Sequence, residues 1–95
     1  MGIYRKMITM TIKNGIGSYN HPVVCTIYIE NNTITTSFDE WFPQLGAELA
    51  KILTSTYHKK INDAIENGSE SIEISLSTQN KHHLLSLMGT DLNDK

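Results

Sequence analysis

Residues 37–68 read SFDEWFPQLGAELAKILTSTYHKKINDAIENG, and whether they form one helix or two decides how the rest of the chain can be covered. Trp41, Phe42, Leu45, Leu49, Ile52 and Leu53 recur at the spacing that sets a single stripe against a core. Ser37 with Glu40 three residues later has the pattern of a reciprocal capping box, and Asp39 adds negative charge at the positive end of the helix. Pro43 is tolerated only in a first turn. Either Ser37 caps a separate short turn, or the main helix opens between Asp39 and Phe42. Asn67-Gly68 supplies the left-handed residue that ends helices.

The stripe changes direction inside this segment. Lys59 and Lys60 would point into the face set by Trp41 to Thr56, while Tyr57, Ile61, Ala64 and Ile65 form a new apolar stripe turned by roughly 120°. A continuous helix would run about 37 Å, longer than the roughly 30 Å width of a domain this size. Two outcomes follow. A bend at Thr54-Ser55-Thr56 returns the second half to the same core, or the helix overhangs and Tyr57, Ile61, Ala64 and Ile65 form a partner or dimer interface.

Upstream, residues 5–13 alternate, with Ile8, Met10 and Ile12 inward, as in a half-buried strand. Residues 14–21 carry Asn-Gly, a second Gly and Ser-Tyr-Asn-His, which reads as an exposed connection. Residues 23–30 give a second strand with Val23, Cys25, Ile27 and Ile29 inward; Asn31-Asn32 marks a tight turn, and residues 33–37 a short third strand with Ile34 inward. Downstream, residues 71–77 alternate with Ile72, Ile74 and Leu76 inward. Residues 81–88 are either a second helix or a fifth strand, and Leu84, Leu85, Leu87 and Met88 favour the helix. The fold expected is α+β: an antiparallel sheet of four strands, or five, in the order β-β-β-α-β-(α or β), with one long helix covering one face.

Ninety-five residues bury one core, so residues 1–95 are expected to be a single domain with a frayed tail at 89–95. With 39% hydrophobic and 19% charged residues the chain belongs with globular rather than disordered proteins. A net charge of −2 offers no general attraction to nucleic acid or to anionic membranes. The opening MGIYRKMITM lacks the features of a secretory signal, and no run approaches the roughly 20 apolar residues of a membrane span. Cys25 is the sole cysteine, which excludes an intramolecular disulfide and fits a reducing, cytoplasmic compartment.

Chemistry-bearing motifs are few. His21 and Cys25 would stand about 13 Å apart on a strand, too far to share a zinc ion. The side chains of His82 and His83 diverge in a strand or a helix, so no metal or cofactor is expected. Cys25 reads as an inert core residue. Asn14-Gly15-Ile16-Gly17-Ser18 has the glycine spacing of a phosphate loop but lies between two strands, without a following helix or a lysine. Ser18, Tyr19, Asn20 and His21 form a candidate ligand or partner loop. Thr9, Thr11, Thr26, Tyr28, Thr33 and Thr35 gather on the outer sheet face; they read as a solvated surface, or as a flat neutral one for a partner.

These features point to a non-enzymatic protein-interaction module that self-associates as a homodimer. Abundant Ile, Asn, Thr and Lys suggest an AT-rich genome and a phage or mobile-element accessory role. The alternatives are a nucleic-acid-binding regulator using three strands plus a helix, and a small-ligand binder or enzyme using Tyr19, His21 and His58.

Overall fold

A computed structural model describes residues 5–17 and 20–93, with residues 91–93 as backbone. Strands β1 (Lys6–Ile12), β2 (Val23–Glu30) and β3 (Thr33–Thr36) form an antiparallel meander. The register sets Ile8 against Ile27 and Met10 against Cys25, so their buried side chains share one face of the sheet. Burying each large aliphatic side chain there contributes about 1.5–3 kcal/mol. Asn31 and Asn32 both take positive φ, 55° and 66°, the pair of left-handed residues that a two-residue hairpin turn of type I′ requires.

The chain leaves β3 through a short 3-10 turn, Ser37–Glu40. Thr36 caps it, its hydroxyl accepting from the Phe38 N–H. The hydroxyl of Ser37 accepts instead from the Thr26 N–H of β2, so the expected Ser37–Glu40 capping box does not form. Helix α1 (Pro43–Thr56) then opens with Pro43 in its first turn, where a missing N–H costs nothing. Trp41 belongs to the preceding turn rather than to the helix stripe and is 75% exposed, contrary to its expected place in the core. Asp39 packs against the first turn of α1 through Gly46: a Cβ there would collide with Asp39 Oδ1 and stand 3.0 Å from the Asp39 backbone nitrogen.

The single long helix expected from the sequence is two. Within α1, Thr54 Oγ1 donates to the Ala50 carbonyl and Ser55 Oγ to that of Ile52, side-chain bonds that compete with the helical ladder. Tyr57, at φ −114° and ψ 12°, leaves the helical region, and α2 (His58–Glu66) begins on a new axis. The break turns the second stripe back onto the first: Ile61 is 1% exposed and Ala64 is buried, both in the same cluster as Leu49 and Leu53. At 1.5 Å per residue the two pieces are about 21 and 14 Å long.

After Gly68 the chain enters β4 (Ser71–Ile74), which pairs with β1 in parallel, giving the mixed order β3-β2-β1-β4. The expectation of a wholly antiparallel sheet is corrected here. Strands β1 and β3 run the same way, and the α1–α2 crossover carries the chain back to start β4 in that same direction. Residues 78–93 form helix α3 (Thr78–Asn93), not a fifth strand; the Ser77 hydroxyl caps it by accepting from the Asn80 N–H. Gly89 does not end the helix, and the expected tail is helical as far as Asn93. Helix α3 packs beside α1, with Leu84 fully buried. The molecule is therefore an α+β structure, a four-stranded mixed sheet with three α-helices.

Candidate functional site

Strand β3 ends the sheet on one side. In a two-residue hairpin the residues flanking the turn exchange both ladder bonds, so Glu30 pairs this way with Thr33 and Tyr28 with Thr35. The N–H and C=O of Ile34 consequently point away from β2, and among the described residues no backbone bond meets them. Beside this edge lies a groove of about 550 Å³ between β3 and α1, lined by Asn32, Thr33 and Ile34 on one side and by Glu48, Lys51, Ile52 and Ser55 on the other. It continues into a smaller recess of about 250 Å³ whose apolar wall is Ile29, Ile34, Ile61 and Ile65, with Asn32, His58 and Asn62 around it. An unpaired edge next to an apolar recess is the arrangement that accepts an added strand, main chain on the edge and alternate side chains in the groove.

The groove lining holds one acid and one lysine, Glu48 and Lys51, which pair with each other, and the ion pair of α2 lies outside it. Glu48 holds Lys51 and His83, each at 3.6 Å, and Lys59 holds Asp63 at 3.3 Å. Such exposed pairs contribute little to stability, on the order of 0–1 kcal/mol. Among the described residues Lys60 has no ion pair, and the first turn of α2 has no acid.

The residues singled out from the sequence are dispersed. Of the four-residue stripe, Ile61 and Ile65 line the recess, Ala64 lies inside the core, and the half-buried Tyr57 donates its hydroxyl to the Ser75 carbonyl. Ser18 and Tyr19 lie outside the described residues. Asn20 and His21 are exposed, and Asn20 accepts from Lys81 Nζ at 3.2 Å. The loop before them is not the open connection expected: Ile16 is in the core and Gly17, at φ 71°, lies against Leu85 and donates to the Lys81 carbonyl. Lys81 thus supplies a lysine beside the glycine loop from far along the chain. Asn14 ties the loop to the sheet, exchanging two side-chain bonds with the backbone of Leu76. Burial raises the Cys25 thiol from 9.0 to about 11, which suppresses the nucleophilic thiolate. No three metal-ligating side chains converge among the described residues.

The outer sheet face carries Met7 and Val24 exposed, and the Arg5 guanidinium lies 4.2 Å from the centre of the Tyr28 ring. No helix among the described residues is long and apolar enough to cross a membrane. Comparison with protein families, with curated proteins and with solved structures finds no match to this chain. The groove was missed in the sequence because it exists only where β3 meets α1 and α2. The one local signal was the uncharged run Thr33-Ile34-Thr35-Thr36.

Proposed function

We propose that this chain is a protein-interaction module that binds an extended segment of a partner along the open edge of β3. The observation that carries this is the outward-facing backbone of Ile34 beside an apolar groove. Main-chain bonds to β3 would hold the segment, and the recess bounded by Ile34, Ile61 and Ile65 would select an apolar side chain. The dimer expectation placed the contact on a helix stripe; this reading moves it to the groove that part of the same stripe lines.

A nucleic-acid reading draws less support. Arg5 covers one face of Tyr28, the one aromatic ring expected on the outer face, and Glu73 adds negative charge to that surface.

The test uses a proline at each edge of the sheet. Ile34→Pro removes the outward N–H without touching the β2 ladder, and Glu73→Pro does the same at β4. A labelled peptide of alternating valine and threonine should lose binding with the first substitution and keep it with the second. Equal effects of the two would refute strand addition at β3.

A further inference from the structure

The chain contains two Asn-Gly pairs, Asn14-Gly15 and Asn67-Gly68, and the fold treats them oppositely. In such a pair the glycine has no Cβ to obstruct its nitrogen as it approaches the asparagine side chain, so ring closure between them meets the least resistance. Asn14 is held against it. Its Nδ2 donates to the Leu76 carbonyl at 2.7 Å and its Oδ1 accepts from the Leu76 N–H at 3.0 Å, while the buried Gly15 donates its own N–H to the Ile12 carbonyl. Asn67 and Gly68 are both exposed and follow the last turn of α2, where helix ends open first. Among the described residues no hydrogen bond holds the Asn67 side chain, and a Cβ built on Gly68 meets nothing within 4 Å. Asn67 sits at ψ −2°, which eclipses the Gly68 nitrogen with the Asn67 nitrogen rather than with Cβ. Rotation toward Cβ breaks the Gly68 N–H bond to the Ile65 carbonyl, 3.1 Å, and the adjoining Ser69 N–H bond to the Ala64 carbonyl. Those backbone bonds are the guard on Asn67.

We infer that Asn67 is a site of spontaneous deamidation, timed by the opening of the C-terminal turn of α2. The Gly68 nitrogen gives up its proton to hydroxide and attacks Asn67 Cγ; the new N–C bond closes a succinimide ring, and the Cγ–Nδ2 bond breaks as Nδ2 takes a proton from water and leaves as ammonia. Water then opens the ring on either side. Cleavage between the nitrogen and Cγ leaves aspartate in an unchanged main chain, whereas cleavage between the nitrogen and the Asn67 carbonyl carbon routes the main chain through Cγ as isoaspartate. Both products place a carboxylate at the negative end of α2, next in sequence to Glu66, and the one added charge takes the net charge from −2 to −3. Isoaspartate also lengthens the link from α2 to β4 by a main-chain carbon. The carbonyl that loses its partner is that of Ile65, a wall of the recess beside β3.

The experiment incubates the full chain in mildly alkaline buffer, with and without guanidinium chloride. Both sites are followed by proteolysis, chromatography and fragment mass spectrometry, which locate the amide-to-acid mass gain and separate aspartate from isoaspartate. In the unfolded chain the two pairs should convert at similar rates, because the reacting dipeptide is the same. In the folded chain Asn67 should convert about tenfold faster than Asn14, whose two side-chain bonds to Leu76 must break first. Asn67→Gln, whose longer side chain closes a ring far more slowly, should remove most of the ammonia that the folded chain releases. Equal conversion of the two pairs in the folded chain overturns the inference, as does a folded Asn67 that stays intact while the unfolded chain converts. Unfolded rates that already differ tenfold take the selection away from the fold and overturn it too, and so does ammonia release undiminished in Asn67→Gln.

Discussion

The two edges of the sheet are built differently. Strand β4 carries Glu73 at its open edge, the Tyr57 hydroxyl binds the Ser75 carbonyl just beyond the strand, and Asn14 occupies the backbone of Leu76. Charge and side-chain bonds of this kind are how proteins keep an edge from pairing with another chain. Strand β3 has no charged residue and no proline, among the described residues no backbone bond meets its outward groups, and a groove runs beside it. One fold thus guards one edge and exposes the other. The exposed one is short, which limits indiscriminate pairing, and an apolar recess lies beside it.

The largest expected effect challenges the position of the groove itself. Ile61→Asp places a charge at a site that is 1% exposed, and the variant should lose about 4 kcal/mol or more and fail to fold. A folded Ile61→Asp monomer would return Ile61 to a surface interface and remove the recess from the account. Next is Gly46→Ala. Alanine ordinarily stabilises a helix interior by up to about 1 kcal/mol over glycine, but here its Cβ meets Asp39, and the variant should lose about 1–3 kcal/mol in chemical denaturation. Pairing it with Asp39→Ala should recover much of that loss, and a stabilised single variant would show that the turn leading from β3 into α1 is not held this way.

Smaller effects separate the edges. Tyr57→Phe removes the bond to Ser75 at the guarded side and should cost about 1 kcal/mol in thermal unfolding, with no change in peptide binding. Combined with Glu73→Val it should make β4 adhesive, seen as concentration-dependent light scattering absent from the parent chain. The smallest effect lies in the core that both edges share. The Cys25 thiol is raised to about 11 in the folded chain, so its contribution to stability is complete below pH 9 and is lost as pH rises toward 11. Cys25→Ala should lack that part of the alkaline decline, and identical pH profiles would contradict the burial argument.

Much of this contrast was legible only in part. The meander was readable because Ile8, Met10 and Ile12 alternate with polar residues and Asn31-Asn32 admits a turn with two positive φ values. The inward sets of β1, β2 and β4 follow from the same period. The helix break was legible as one of two outcomes, since the stripe rotates at Tyr57, but whether a rotated stripe meets its own core or another chain depends on tertiary packing. The direction of β4 was not readable, because it depends on how the crossover returns rather than on residues 71–74 themselves. Lys81 beside Gly17 joins positions far apart in sequence, which no local pattern signals. Trp41 misled the pattern: its spacing fits the stripe of α1, yet Pro43 starts that helix later and leaves the ring in solvent.

Amide hydrogen exchange, followed residue by residue with the peptide of alternating valine and threonine added, tests the central claim most directly. The Ile34 and Glu73 amides both face open edges in the free chain. Strand addition at β3 predicts that exchange at Ile34 slows on binding while exchange at Glu73 does not change. Slowing at Glu73 with Ile34 unaltered, or no slowing at either under saturating peptide, would contradict it.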